Sequence, residues 1–333
     1  MDTTLLILVL TVSLALVFDF INGFHDSANA IATVVSTKVL SPKSAVIMSA
    51  LLNLGGALVG TEVAATIGKG LVDTSAITIG TILCTVISAI VWNLITWYKG
   101  LPSSSSHALI GSLIGATVAS GCNWDSIKID KLIEKVIIPM VVSPVFGIII
   151  GFAIMLALTW MFYKKPLART NRLFGRLQLI SAGFMALNHG QNDAQKSMGI
   201  IALALLLLHP TEAFQVPLWV KLACAAAMCL GTMSGGWRII RTLGSKVIKL
   251  QPIHGFAAET AASLIIATAS HFGIPLSTTH VISSSIMGVG AAKRFSAVHW
   301  SVVGTIVWAW VLTLPFTFIL SALIMKAYGV VCH

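Results

Sequence analysis

Long apolar runs fill most of this chain, and short polar stretches interrupt them. Residues 5–20 are predominantly apolar, Asn22-Gly23-Phe24-His25-Asp26-Ser27-Ala28-Asn29-Ala30 is a polar island, and residues 31–35 are apolar again. As one straight helix, residues 3–40 would be roughly 57 Å long, against a hydrocarbon core of roughly 30 Å. The segment is therefore expected to break at the island. Ser41-Pro42-Lys43 ends it, and further apolar segments follow at 45–59, 74–98, 108–119 and 136–163. A second broken stretch, 177–208, surrounds Asn188-His189-Gly190-Gln191-Asn192-Asp193-Ala194-Gln195-Lys196, which has the same Gly-x-x-Asp core. Segments at 216–234, 254–272, 281–291 and 301–325 complete the pattern.

Composition fixes the class. Of 333 residues, 56% are hydrophobic and only 10% charged, where a soluble domain carries about 25% charged residues. The chain reads as an all-α polytopic membrane protein. Its excess of 10 positive charges then reads as loops facing the cytoplasm rather than as a nucleic-acid surface. The first residues carry Asp2 and no Lys or Arg, so the N-terminal run is expected to be a retained helix rather than a cleaved signal. Cys84, Cys122, Cys224, Cys229 and Cys332 form no Cys-x-x-Cys pair and read as small apolar packing residues.

The second half repeats the first. Asp193 follows Asp26 by 167 residues, Pro275 and His280 follow Pro102 and His107 by 173, and Gly244-Ser245 follows Gly68-Lys69 by 176. Loop charge gives the relative orientation. Residues 61–73 are net −1 and their counterpart 238–249 is net +4; residues 122–135 are net 0 and Lys293-Arg294 is +2. Matching loops should then lie on opposite faces, so the halves form an inverted-topology repeat with broken helices, the plan of secondary transporters. The expected organisation is a first repeat at 1–163, a short basic cytoplasmic linker at 164–176 (Lys164, Lys165, Arg169, Arg172, Arg176), and a second repeat at 177–333, with both termini outside. The turn Gly100–His107 is either a loop or the tip of a re-entrant hairpin, and a polar tip at depth requires a cavity. Gly111-x-x-x-Gly115 and Gly147-x-x-x-Gly151 permit close helix packing, in a homodimer or within the fold.

The polar residues suggest a binding site. Pro102 with Ser103, Ser104, Ser105 and Ser106, and Pro275 with Ser277, Thr278 and Thr279, are helix-start sequences. One such turn is ordinary capping. Two, from related halves, can converge on an oxyanion through N–H groups, hydroxyls and helix dipoles. Asp26 and Asp193 are acceptors, fitted to a coupling cation or proton, or to the O–H of hydrogen phosphate, which sulfate lacks at neutral pH. Gln191 and Asn192 add neutral donors and acceptors. Asn29 could join Asp26 and Asp193 around a sodium ion. Lys196, at the position matching Asn29, could pair with an anion or with Asp193. His25, His107 and His280 could relay protons. Asp19 and Glu259 lack duplicates and rank lower.

These duplicated signatures, extended by Ala32-Thr33-Val34-Val35 in the first copy and Ser197-Met198-Gly199 in the second, resemble those of the inorganic phosphate transporter (PiT) family, and the resemblance covers nearly the whole chain. It implies a symporter of inorganic phosphate coupled to sodium or protons, with no cofactor and no enzymatic activity. Bacterial members with His-Asp in the first signature resemble low-affinity proton-coupled carriers, some of which accept neutral metal–phosphate complexes. Many relatives have Asn-Asp where this chain has His25-Asp26, which weighs against sodium, and the short linker lacks the large cytoplasmic domain some relatives carry. A permease for sulfate or another tetrahedral oxyanion is the alternative within the same architecture. A channel or a membrane hydrolase fits less well, because duplicated serine runs are unlike a single nucleophile.

Overall fold

A computed structural model describes residues 3–121, 124–209 and 213–332, which are helical apart from turns and one isolated β-bridge between Val72 and Ile127. In chain order the first half contains α1 (Thr3–Ser36), α2 (Pro42–Ala57), α3 (Glu62–Ala65), α4 (Ile79–Lys99), α5 (Ser105–Ala119), α6 (Ile129–Leu132) and α7 (Ile138–Phe162). The second contains α8 (Leu167–Leu208), α9 (Leu218–Ser234), α10 (Trp237–Arg241), α11 (Pro252–His271), α12 (Thr278–Lys293) and α13 (Trp300–Cys332). Asp2 and Cys122 lie outside the described residues, as does the side chain of Cys332. Cys84, Cys224 and Cys229 are buried, as packing residues should be.

Among the described residues four helical stretches are long and apolar enough to cross a membrane, and six if each bent pair counts as one span. The protein is a multi-pass membrane protein. The bends fall where the sequence suggested loops. Residues 61–73 hold α3 and the π-helical turn Thr66–Gly70, bent 64° from α2. Residues 238–249 hold most of α10 and the π-helical turn Thr242–Lys246, bent 59° from α9. Residues 129–135, also expected as loop, lie in α6 and a third π-helical turn, Ile133–Ile137, that runs into α7. The basic linker is largely the first turns of α8, which begins at Leu167.

The expected break at the polar island does not occur. α1 runs unbroken through Asn22–Ala30, and α8 runs unbroken through Asn188–Lys196. The physical reason is that His25, Asp26, Asn29 and Asp193 find partners on other helices and turns, so the backbone has no need to unwind. Gly23 and Gly190 serve packing instead. A Cβ on Gly23 would stand 2.4 Å from the Met228 carbonyl oxygen of α9, and one on Gly190 would stand 2.2 Å from that of Asn53 in α2.

The halves embrace reciprocally. α1 packs on α9 and α8 on α2; α5 packs on α13 and α12 on α7. Both Gly-x-x-x-Gly stretches are used within the fold. Gly111 and Gly115 seat α5 on Leu314, Thr317 and Phe318, and Gly147 and Gly151 seat α7 on Ser284 and Ser285. The turns before α5 and α12 each begin at a glycine with positive φ, Gly100 at 67° and Gly273 at 63°. Each is held by a threonine of the other half's π-helical turn: Thr66 Oγ1 donates to Gly273 O at 2.7 Å, and Thr242 Oγ1 to Gly100 O at 3.0 Å.

Two apolar clusters make up most of the core, each drawing on both halves. α1 gives Leu8–Phe18 to one and Ala28–Val34 to the other; α8 gives Ala194–Ala204 to one and Phe174–Ala186 to the other. The polar residues of both islands fall at the waist between them.

Candidate functional site

The site is assembled from four helices. α1 and α8 present carboxylates from mid-helix, and α5 and α12 present their N-termini. The turns leading into α5 and α12 are buried rather than exposed loops: Pro102–His107 and Ser277–His280 all lie inside the protein. Ser104 caps α5, its hydroxyl accepting from His107 N at 3.1 Å, and Ser277 caps α12 in the same way, accepting from His280 N at 3.2 Å. Both helix-start sequences thus form caps, one in each half.

Asp26 and Asp193 stand between those caps, both buried. Asp26 Oδ2 accepts from Ser105 Oγ at 3.1 Å, and its Oδ1 accepts from Thr279 Oγ1 of the other half at 3.4 Å. His25 Nδ1 lies 2.6 Å from Asp26 Oδ1. Asp193 Oδ2 accepts from Thr278 Oγ1 at 3.0 Å and lies 3.0 Å from His189 Nε2; its Oδ1 pairs with the Lys196 ammonium. Each carboxylate therefore has a histidine and a hydroxyl from α12. Only Asp193 has an ammonium.

Lys196 adopts one of its two expected pairings. Its Nζ donates to Asp193, to Ser106 Oγ, and to Leu276 O at 2.9 Å. Ser106 Oγ donates to Leu276 O at 3.0 Å, so the α5 and α12 turns are stitched together beside the ammonium. Asn29, the matching residue of α1, bridges differently, its Nδ2 donating to Thr278 Oγ1 at 3.1 Å and Thr279 Oγ1 at 2.9 Å. Its Oδ1 is buried with no hydrogen-bond partner among the described residues. Asn192 is turned away from the carboxylates, toward Ser270 Oγ at 2.8 Å and Ile274 O at 3.4 Å. Gln191 is half-buried, with its backbone against Gly56.

Asp26, Asp193 and His189 each offer a ligand atom within 4.8 Å of the other two. His189 stands between two acceptors, with Nδ1 3.2 Å from Asn53 Oδ1. Its position four residues before Asp193, one turn back on the same helix face, is the signal that would have found it.

Other partners carry no motif. His25 Nε2 lies 3.1 Å from Thr96 Oγ1 and 3.4 Å from Ser103 Oγ, Ser103 donating to Thr96 at 2.8 Å. His107 and His280 form an edge-on ring pair at 4.8 Å, and His280 stacks on Trp310 at 4.1 Å. Glu259 proves to be a hub: it accepts from Thr33 Oγ1 at 2.5 Å, from Gln178 Nε2 at 3.0 Å and from Ser181.

Chemically, the waist offers hydroxyl donors and two helix N-termini beside carboxylate acceptors, one fixed cation and two imidazoles. That set suits a small oxyanion with at least one proton, or one accompanied by a cation.

Comparison with known proteins gives the same direction. The model of a family described as the phosphate transporter family matches residues 22–321. A Bacillus subtilis protein named "probable low-affinity inorganic phosphate transporter" is 46% identical over 327 residues, 97% of each chain. One of the same name from Rhizobium meliloti is also 46% identical over 97% of each chain, and one from Mycobacterium bovis is 44% identical over 99% of this chain and 79% of its own. A solved structure, "the sodium-dependent phosphate transporter", shares the fold with a TM-score of 0.86, over 97% of this chain and 99% of its own, at 22% identity.

Proposed function

The chain belongs to the phosphate transporter family, and from that premise we propose that it is a secondary symporter that moves inorganic phosphate through the buried waist by alternating access. The observation that carries this reading is the pairing of Asp26 and Asp193 with two capped helix N-termini, one from each half, inside the protein. In the loaded site the hydroxyls of Ser105, Ser106, Thr278 and Thr279, with the capped turns of Ser104 and Ser277, hold phosphate oxygens. A carboxylate accepts the P–O–H hydrogen bond that hydrogen phosphate offers. Sulfate has no such hydrogen at neutral pH, which favours phosphate over the alternative oxyanion.

Charge makes co-transport a necessity. Two carboxylates and a phosphate dianion cannot share a dry site without compensating cations. Lys196 supplies one fixed positive charge. The His25–Asp26 pair supplies a place for a coupling proton: Nδ1 faces a carboxylate, and Nε2 faces Thr96 Oγ1, whose own hydrogen is within reach of the Trp92 and Asn93 carbonyls at 3.1 and 3.2 Å. Both ring nitrogens can therefore donate, as an imidazolium requires. A divalent cation carried with the phosphate would have Asp26, Asp193 and His189 as ligands, which suits a neutral metal–phosphate complex. Sodium at the same acceptors is the second reading.

The halves act as an inverted repeat, with the linker at 164–176 cytoplasmic and both termini outside. The reciprocal helix pairing and the exchanged Thr–Gly contacts support this. The deciding experiment is phosphate uptake into proteoliposomes with a proton gradient and a sodium gradient imposed separately, with and without magnesium. Proton-driven uptake is expected, lost in Asp26→Asn and Asp193→Asn variants that still insert. Full uptake by both variants would overturn the site, and uptake driven by sodium alone would overturn the coupling.

A further inference from the structure

Away from the waist, the protein carries a cationic cleft of about 440 Å³, lined by Ile248, Lys249, Lys293, Arg294, Ser296 and His299. It lies between the segment after the π-helical turn Thr242–Lys246, the end of α12, and the turn leading into α13. A backbone clip builds it: His299 N donates to Val247 O at 3.0 Å, and its Nδ1 to Lys246 O at 2.7 Å. The buried Ile248 side chain is among its lining residues. Lys249, Lys293, Arg294, Ser296 and His299 are exposed. Among the described residues no acid lines the cleft, and neither lysine nor the arginine has an ion-pair partner there.

The first half contains the same clip, and the contrast is informative. There Lys128 N donates to Leu71 O at 2.9 Å and Lys128 Nζ to Lys69 O at 2.8 Å, and a cleft of about 390 Å³ is lined by Lys69, Lys128, Lys131 and Lys135. Its cations already have partners. Lys131 and Lys135 lie 2.9 and 3.7 Å from the Glu134 carboxylate, and Lys69 lies over the Phe214 ring at 5.8 Å. The clip thus forms equally well with its cations engaged internally. A preference for positive charge on one face accounts for how many cations stand near the second cleft. It does not account for three unpaired ones converging on a concave surface with a hydroxyl and an imidazole.

A second observation sets the depth of the cleft. Phe295 and Trp300 flank it, stacked at 4.5 Å, 67% and 41% exposed, with Trp300 Nε1 donating to Phe295 O at 3.0 Å. Exposed aromatic pairs of this kind belong at the membrane–water boundary, level with lipid headgroups. Basic pockets at that depth suit anionic headgroups.

We propose that this cleft is a binding site for a phosphate-type oxyanion, occupied by the phosphodiester of an anionic glycerophospholipid. The Arg294 guanidinium presents a fork to two phosphate oxygens, and Lys249 and Lys293 neutralise the charge. Free inorganic phosphate has the same chemistry, and the test separates the two sources. The full chain is reconstituted in phosphatidylcholine vesicles, with or without phosphatidylglycerol, and treated with an amine-acylating reagent. Labelling of Lys249 and Lys293 is read by mass spectrometry against exposed Lys164. Several-fold protection in phosphatidylglycerol, unaffected by inorganic phosphate, is expected. Protection by millimolar inorganic phosphate in pure phosphatidylcholine would assign the site to the free ion. In parallel, K249Q/K293Q/R294Q should co-purify with less phosphatidylglycerol than the parent chain where lipid is the occupant. No protection of Lys249 and Lys293 beyond that of Lys164 under any condition would overturn the site. Unchanged phosphatidylglycerol retention by the variant would overturn the lipid as its occupant.

Discussion

Removing the Lys196 charge tests the waist most directly. Lys196→Gln leaves the buried Asp193 carboxylate with His189 and Thr278 at 3.0 Å each and no full cation bonded to it. Breaking a buried pair on one side costs about 3–5 kcal/mol, which corresponds to roughly 150- to 5000-fold in a folding or occupancy equilibrium. Asp193→Asn should cost a similar amount, because it strands the ammonium between Ser106 and the Leu276 carbonyl. The double variant removes both charges and leaves an amide pair able to hydrogen-bond, so its loss should be well below the sum of the two single losses. Thermal unfolding in detergent measures the cycle, and proteoliposome uptake measures function. Stability should recover in the double variant while transport does not, since the acceptor for the substrate or cation is gone. Strictly additive losses would refute the pairing. Restored transport would refute a working role for the Asp193 charge.

Four further outcomes follow from the geometry. Thr66→Val and Thr242→Val each delete one hydrogen bond to the opposite turn, worth about 1 kcal/mol; each should raise reagent access to a cysteine at position 106 severalfold, from opposite faces, and access from one face in both variants would refute the exchange. Gly115→Ala places a Cβ 2.1 Å from Phe318 O and should destabilise by about 1–3 kcal/mol, whereas Gly304→Ala, which meets nothing within 4 Å, should be neutral in the same melt. His25→Asn should keep phosphate binding, measured by calorimetry, while losing response to an imposed pH gradient. Glu259→Ala strands the donors of Thr33, Gln178 and Ser181 and should lower the melting midpoint, with Glu259→Gln milder because it keeps acceptor capacity.

Much of the waist was legible in the sequence because its signals are local. Ser104 and Ser277 precede apolar runs at the spacing of helix caps, and duplication singled out Asp26 and Asp193. The islands read as helix breaks because hydropathy registers a polar stretch without registering who satisfies it. Asp26 finds Thr279, 253 residues away, and Asn29 finds Thr278, 249 away; no window reaches that far. Residues 61–73 and 238–249 read as loops because their charges masked short helices ending in π-helical turns. Glu259 has no duplicate to single it out, and its partners come from α1 and α8, a convergence that only the tertiary structure displays.

The exchanged contacts between Thr66 and Gly273, and between Thr242 and Gly100, have a genetic consequence. Each half leaves one hydrogen bond of its own turn to the other, so a half alone has that turn incompletely bonded. Two separately encoded fragments, cut within the basic linker, should be inert singly and active together. In a mixed population, a defect in one fragment's threonine should be rescued by supplying that same fragment intact, and not by its partner. Each half thus supplies the hydrogen bond that closes a turn of the other.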